Sequence, residues 1–95
     1  MNIGKAIKII RIHKEVSQVA LAKLAGITQT TLSQIESGKK RPGEKTLNRI
    51  SDALGVSTPL LYITGIEKDD VPENRRALYD QLFPVIQSLT LQIAM

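Results

Sequence analysis

Apolar residues recur along most of this chain at intervals of three and four, the spacing that places them on one face of a helix. Over residues 2–14, Ile3, Ile7 and Ile10 share such a face with Ala6 beside them, while Ile9 and Ile12 fall off it. Residues 18–25 and 29–37 predict two short helices, the first carrying small Ala22 and Ala25, the second pointing Leu32 and Ile35 inward. Leu47, Ile50, Ala53 and Leu54 make the stripe of a fourth helix over 44–54, with Gly55 as its stop. A fifth begins after Ser57 and closes at Gly65; Pro59 sits in its first turn, where a missing amide is tolerated. Residues 66–72, IEKDDVP, are charged and turn-like and read as a linker. Residues 73–94 predict a sixth helical region, apolar at Leu78, Tyr79, Leu82, Phe83, Val85, Ile86, Leu89 and Ile93. Pro84 lies inside it and predicts a kink or split near Phe83, because proline removes a backbone bond and clashes with the preceding turn. The expected class is all-α: one domain over residues 1–65, a linker, and a C-terminal helical segment over 73–95.

Local signals are densest in SQVALAKLAGITQTTLSQIESGKKRP, residues 17–42. Ser17 and Thr28 stand where an N-cap hydroxyl accepts a bond from an orphan amide. Val16 with Leu21, and Ile27 with Leu32, have the spacing of a hydrophobic staple around each cap. Gly26 supplies the turn between the two helices, and Gly38 ends the second in the left-handed region that a side chain disfavours. That second helix exposes Gln29, Thr30, Thr31, Ser33 and Gln34, and Lys39, Lys40 and Arg41 follow at once. Short polar side chains can pair with base edges, and the cations after them suit phosphate.

This stretch resembles the helix-turn-helix of the phage repressor and Cro family, also called XRE-like or lambda-repressor-like. The residues that carry the likeness are Arg11, Gln18, Ala22, Ala25, Gly26, Gln29, Leu32, Ile35, Glu36, Gly38 and Pro42, with Leu54, Gly55 and Val56 downstream. It extends over about residues 3–65 and implies a five-helix DNA-binding domain of one small-domain size. It also implies that the helix over 29–37 enters the major groove, with Gln29, Thr30, Ser33 and Gln34 at the positions of base readers. A glutamine amide donates and accepts at once and so matches the N6 and N7 edge of adenine. Thr28, Thr31 and Ser37 complete the candidate DNA-binding surface. Gln18 matches a residue that contacts phosphate and braces the counterpart of Gln29. Lys39, Lys40 and Arg41 are expected to hold phosphates without reading sequence. Arg11 and Glu36 match a pair that forms an internal salt bridge; on residue type alone both would be surface charges.

Charge supports a nucleic-acid partner once it is split along the chain. Residues 1–50 hold ten Lys or Arg against three Glu, whereas residues 51–95 hold three against six Asp or Glu. The overall +4 therefore conceals a basic front half suited to counterion release from duplex DNA. The chain has no cysteine and one histidine, His13, so no disulfide, thiolate metal site or acid–base constellation is available. Glu67, Asp69 and Asp70 lack the spacing and glycine of a calcium loop. No metal, cofactor or enzymatic activity is expected. No apolar run reaches the roughly 20 residues of a membrane span, and the first ten residues lack a cleavage site, so the expectation is a soluble cytoplasmic protein.

Tyr79, Leu82, Ile86, Leu89 and Ile93 are spaced three, four, three and four apart, the seam of paired helices. They predict a dimerisation segment, and Leu78, Phe83 and Val85 widen it. The alternative is that the segment folds back on its own domain, with Ile9 and Ile12 as landing site. The functional expectation is a sequence-specific, homodimeric transcriptional regulator acting as a repressor on double-stranded DNA. The competing one is a protein-interaction module or antitoxin whose C-terminal helix binds a partner protein. The basic front half distinguishes them, since a pure interaction module has no need of it.

Overall fold

The computed structural model describes residues 1–94; Met95, the last residue of the expected C-terminal segment, lies outside that range. The described residues form six α-helices and no strand: α1 Ile3–His13, α2 Gln18–Ala25, α3 Gln29–Glu36, α4 Glu44–Leu54, α5 Thr58–Thr64 and α6 Arg76–Ala94. Helices α1 to α5 pack around a core in which Ile7, Ile10, Leu21, Leu32, Ile35, Ile50 and Leu61 are fully buried. Burying each such side chain contributes roughly 1.5–3 kcal/mol; Ile7, Ile10, Leu32, Ile35 and Ile50 come from the stripes predicted by helical spacing, and Leu21 is the staple partner of Val16.

Local chemistry sets the helix ends much as expected. The Ser17 hydroxyl accepts from the Ala20 amide at 3.0 Å, and the Thr28 hydroxyl accepts from the Thr31 amide at 3.0 Å. Gly26, at φ 70°, turns the chain between α2 and α3. Ser57 occupies the N-cap of α5 but makes no side-chain cap bond; its carbonyl accepts from Leu60 and Leu61 instead. Asn2 caps α1 by accepting from the Lys5 amide, a cap with no counterpart in the sequence reading. Glu15 also went unanticipated: it takes a positive φ of 58° between α1 and α2.

Residues 66–72 are more ordered than a linker. Lys68–Asp70 form a 3₁₀ turn closed by a reciprocal capping box between Glu67 and Asp70. The Met1 amine donates to Asp70; this bond holds the amine above its ordinary pKa and the carboxyl below its own. Lys68 pairs with Asp80 at 2.9 Å, and a second 3₁₀ turn, Glu73–Arg75, leads into α6.

Helix α6 folds back against α1 and α5. Pro84 does not split it, and the helix runs unbroken from Arg76 to Ala94. Its inward side is the run Tyr79, Phe83, Gln87, Thr90 and Ala94, all half-buried or buried. These contacts hold the halves before and after Pro84 on one surface, which offsets the roughly 3 kcal/mol that an interior proline costs. Ile9 is half-buried and shares a depression with Tyr79, Phe83 and Gln87, whereas Ile12 stays 56% exposed. Tyr79, expected in the intersubunit seam, is instead held by its own domain. Its hydroxyl donates to the Ile66 carbonyl at 3.2 Å, and its ring stacks on Phe83 with centroids 4.8 Å apart. Burial there raises the Tyr79 pKa above the ordinary phenol value. The rest of the expected seam, Leu82, Ile86, Leu89 and Ile93, is exposed, together with Leu78 and Val85.

Candidate nucleic-acid interface

Helix α3 presents one face to the core through Leu32 and Ile35 and the other to solvent. Its position is fixed at the C-terminal end by α1. A Cβ built on Gly4 would lie 2.0 Å from the Ile35 carbonyl oxygen and 3.0 Å from its carbon. The two helices therefore touch backbone to backbone at Gly4, and no side chain fits between them. The sequence offered one signal for this: a glycine inside a helix, where it costs up to about 1 kcal/mol relative to alanine.

A chain of polar contacts then runs from α1 to the first turn of α3. The Arg11 guanidinium grips Glu36 through two bonds, Nε to Oε2 at 2.8 Å and Nη2 to Oε1 at 2.9 Å. Arg11 Nη1 also donates to the Val16 carbonyl at 3.0 Å, tying in the residue before the α2 cap. The side chains of Arg11 and Glu36 are only 12% and 4% exposed, so this is an internal bridge rather than a surface pair. Gln18 Nε2 donates to the same Glu36 carboxylate at 3.2 Å, and Gln29 Nε2 donates to Gln18 Oε1 at 3.4 Å. With its amide nitrogen on Gln18, the Gln29 side chain is restrained before any ligand arrives, which lowers the entropy lost on binding.

Gln18, Gln29, Thr30, Ser33 and Gln34 together line a shallow depression of about 250 Å³. Gln29, Thr30, Ser33 and Gln34 are exposed and Gln18 half-buried, so donors and acceptors from two helices converge on one polar surface. The other candidates sit differently. Thr28 and Thr31 hydroxyls bond to each other at 2.8 Å while Thr28 also accepts the Thr31 amide, so both serve the cap. The Ser37 hydroxyl donates to the Gln34 carbonyl at 3.1 Å yet remains exposed. Lys39, Lys40 and Arg41 follow α3, all exposed; among the described residues none of the three enters a salt bridge. Their charge is therefore free for an external anion. The turn is held by Gly38 at φ 82° and by the Lys40 amide donating to the Gln34 carbonyl at 3.1 Å. Among the described residues no group of three or more His, Cys, Asp or Glu is placed to hold a metal ion, and no helix is long and apolar enough to cross a membrane.

A helix-turn-helix whose second helix offers an exposed polar face, flanked by unpaired cations, defines the DNA-reading class of small helical domains. Residues 7–61 match the helix-turn-helix family, and the chain belongs to it, in its XRE-like, phage repressor and Cro branch of DNA-binding transcriptional regulators. That family is one of transcription regulators and not an enzyme class. The chain is 37% identical over 66 residues to the ImmF control region 10 kDa protein of Bacillus phage phi105, covering 70% of this chain and 73% of that protein. It is 41% identical over 58 residues to the SPbeta prophage-derived HTH-type transcriptional regulator YonR of Bacillus subtilis, covering 61% of this chain and 54% of the relative. The immunity repressor protein of Bacillus phage phi105 is 36% identical over 56 residues, 59% of this chain and 39% of the repressor. Of these three, the chain spans more than two thirds only of the first. No solved structure matches it.

Proposed function

We propose that this chain is a homodimeric repressor that reads double-stranded DNA in the major groove through Gln29, Thr30, Ser33 and Gln34. The observation that carries this reading is the polar relay from Arg11 through Glu36 and Gln18 to Gln29. It restrains a bidentate-capable amide at the start of α3, where base readers of this motif sit. Gln18, Lys39, Lys40 and Arg41 bind backbone phosphates and set the register of α3 on the duplex. Thr28 and Thr31 serve the helix cap, and Ser37 adds a hydroxyl beside the cations. The name of the phi105 relative, an immunity repressor, supports repression over activation. In the dimer, two copies of α3 lie roughly 34 Å apart, one turn of duplex, and face paired half-sites.

The test compares binding to a site selected from random duplexes with binding to a generic duplex. Gln29→Ala is expected to cost about 1–3 kcal/mol on the selected site and to relax preference at one base position. Lys40→Ala is expected to weaken all duplexes together and to reduce the slope of log affinity against log salt by about one. Equal losses on both duplexes for Gln29→Ala would remove it from the readers.

A further inference from the structure

Six large apolar side chains of α6 lie open to solvent: Leu78 46%, Leu82 48%, Val85 57%, Ile86 41%, Leu89 53% and Ile93 74%. At about 100° per residue they occupy an arc only about 100° wide, turned away from the face that packs on α1 and α5. Their order is symmetric. The intervals are four, three, one, three and four, so the stripe reads the same from either end about the point between Val85 and Ile86. Reversal carries Leu78 onto Ile93, Leu82 onto Leu89 and Val85 onto Ile86. A face that is its own mirror along the helix also meets itself in register when a second copy runs antiparallel, about a two-fold axis perpendicular to the helices at its centre.

The ends of the stripe also match each other. Beside Leu78, Leu82 and Ile86, an apolar groove of about 320 Å³ opens against Val71 and Ile66. At the far end stands Ile93, the most exposed of the six. Between Gln81 and Ala94 the helix carries no charged residue, so reversed copies would bring no like charges together. The six side chains would bury on the order of 1,000 Å² across two copies, the lower limit of a stable interface.

We propose that two copies of this chain pair through α6 in antiparallel register, about a two-fold axis passing between Val85 and Ile86. Leu78 packs on the partner's Ile93, which enters the groove, and Leu82 packs on the partner's Leu89. This rests on the dimeric reading above and adds the interface and its register. Tyr79 and Phe83, held by their own domain, line the inner wall of that groove.

The natural chain has no cysteine, so single cysteines report the register directly. Full-length Ile86→Cys is expected to oxidise to a covalent dimer, since it lies beside the axis. Leu78→Cys alone and Ile93→Cys alone are expected to stay uncrosslinked. Fifteen residues put each about 22 Å from its own counterpart, beyond the roughly 7 Å that a disulfide tolerates between Cα atoms. An equimolar mixture of the two is expected to give at least about tenfold more disulfide dimer than either alone. Homodimeric crosslinking of Leu78→Cys as strong as that of the mixture would mean a parallel pairing and overturn the register while leaving the dimer. A full chain that sediments as a monomer at tens of micromolar would overturn both readings. The variant Leu82→Lys, Ile86→Lys is expected to sediment as a folded monomer with unchanged helicity. Loss of helicity in that variant would mean that the stripe is needed within one chain and would overturn the proposal from a second side.

Discussion

Gly4→Ala is expected to destabilise the domain by about 2 kcal/mol or more, although alanine is the better helix former by up to about 1 kcal/mol. The two effects oppose each other, and the distances decide between them. A methyl at position 4 would stand 2.0 Å from the Ile35 carbonyl oxygen and 3.3 Å from the Glu36 Cα. These are backbone atoms, so no rotamer change relieves the overlap; α1 and the end of α3 must separate. Overpacking of this kind costs roughly 1–3 kcal/mol and occasionally more, and here the separation also opens the core around Ile7, Ile10 and Ile35. Two kcal/mol lowers the melting temperature of a domain this size by roughly 8–16 °C. Gly4→Val should remove the cooperative transition near room temperature altogether. Because Glu36 sits in the same contact, the displaced α3 also loses its bridge to Arg11, so DNA affinity should fall with stability. Thermal melts followed by circular dichroism check this. An unchanged or raised melting temperature for Gly4→Ala would mean that α1 and α3 yield easily and that the close approach is not a constraint.

Such a contact illustrates which features the sequence discloses. Helices α1 to α5 were legible because their signals are local: a cap hydroxyl, a staple pair and a stripe at three and four spacing all lie within one or two turns. The Ser17 and Thr28 caps and the fully buried core residues followed from those patterns. Gly4 did not, because its meaning lies in Ile35, which packs against it from a distant part of the chain. The partners of Tyr79 inside the chain were hidden for the same reason. Its spacing from Leu82 fits a seam, but the Ile66 carbonyl and the Phe83 ring supply a better partner inside the chain. Pro84, considered within the helix alone, predicts a kink or a split; contacts of α6 with α1 and α5 keep the helix continuous through it. In the candidate site, residue types and order were readable. The relay that joins Arg11 to Gln29 came from family resemblance in part, and the Val16 carbonyl bound by Arg11 came from neither.

The second large effect is expected at the Arg11–Glu36 bridge, with stability and recognition responding differently. Arg11→Met alone leaves a carboxylate that is 4% exposed with only Gln18 as partner. Glu36→Leu alone leaves a guanidinium that is 12% exposed with only the Val16 carbonyl. An uncompensated buried charge costs about 3–5 kcal/mol, a large fraction of the 5–15 kcal/mol that stabilises a typical domain. The double variant removes both charges and fills the space with apolar side chains, so it should recover most of that loss. Its DNA binding should not recover. Without Glu36, Gln18 loses the acceptor at 3.2 Å that orients it, and Gln29 then loses its restraint. We expect about a tenfold loss on the selected site, equivalent to 1.4 kcal/mol, with a smaller loss on the generic duplex, where Lys39, Lys40 and Arg41 still hold phosphates although Gln18 is no longer oriented. Denaturant unfolding of the four chains of the cycle gives the coupling, and titration of selected and generic duplexes gives the recognition term. Additive losses of stability would mean that the two charges act independently. Full recovery of site-specific affinity in the double variant would mean that the relay is a structural strut and does not orient Gln29 toward the bases.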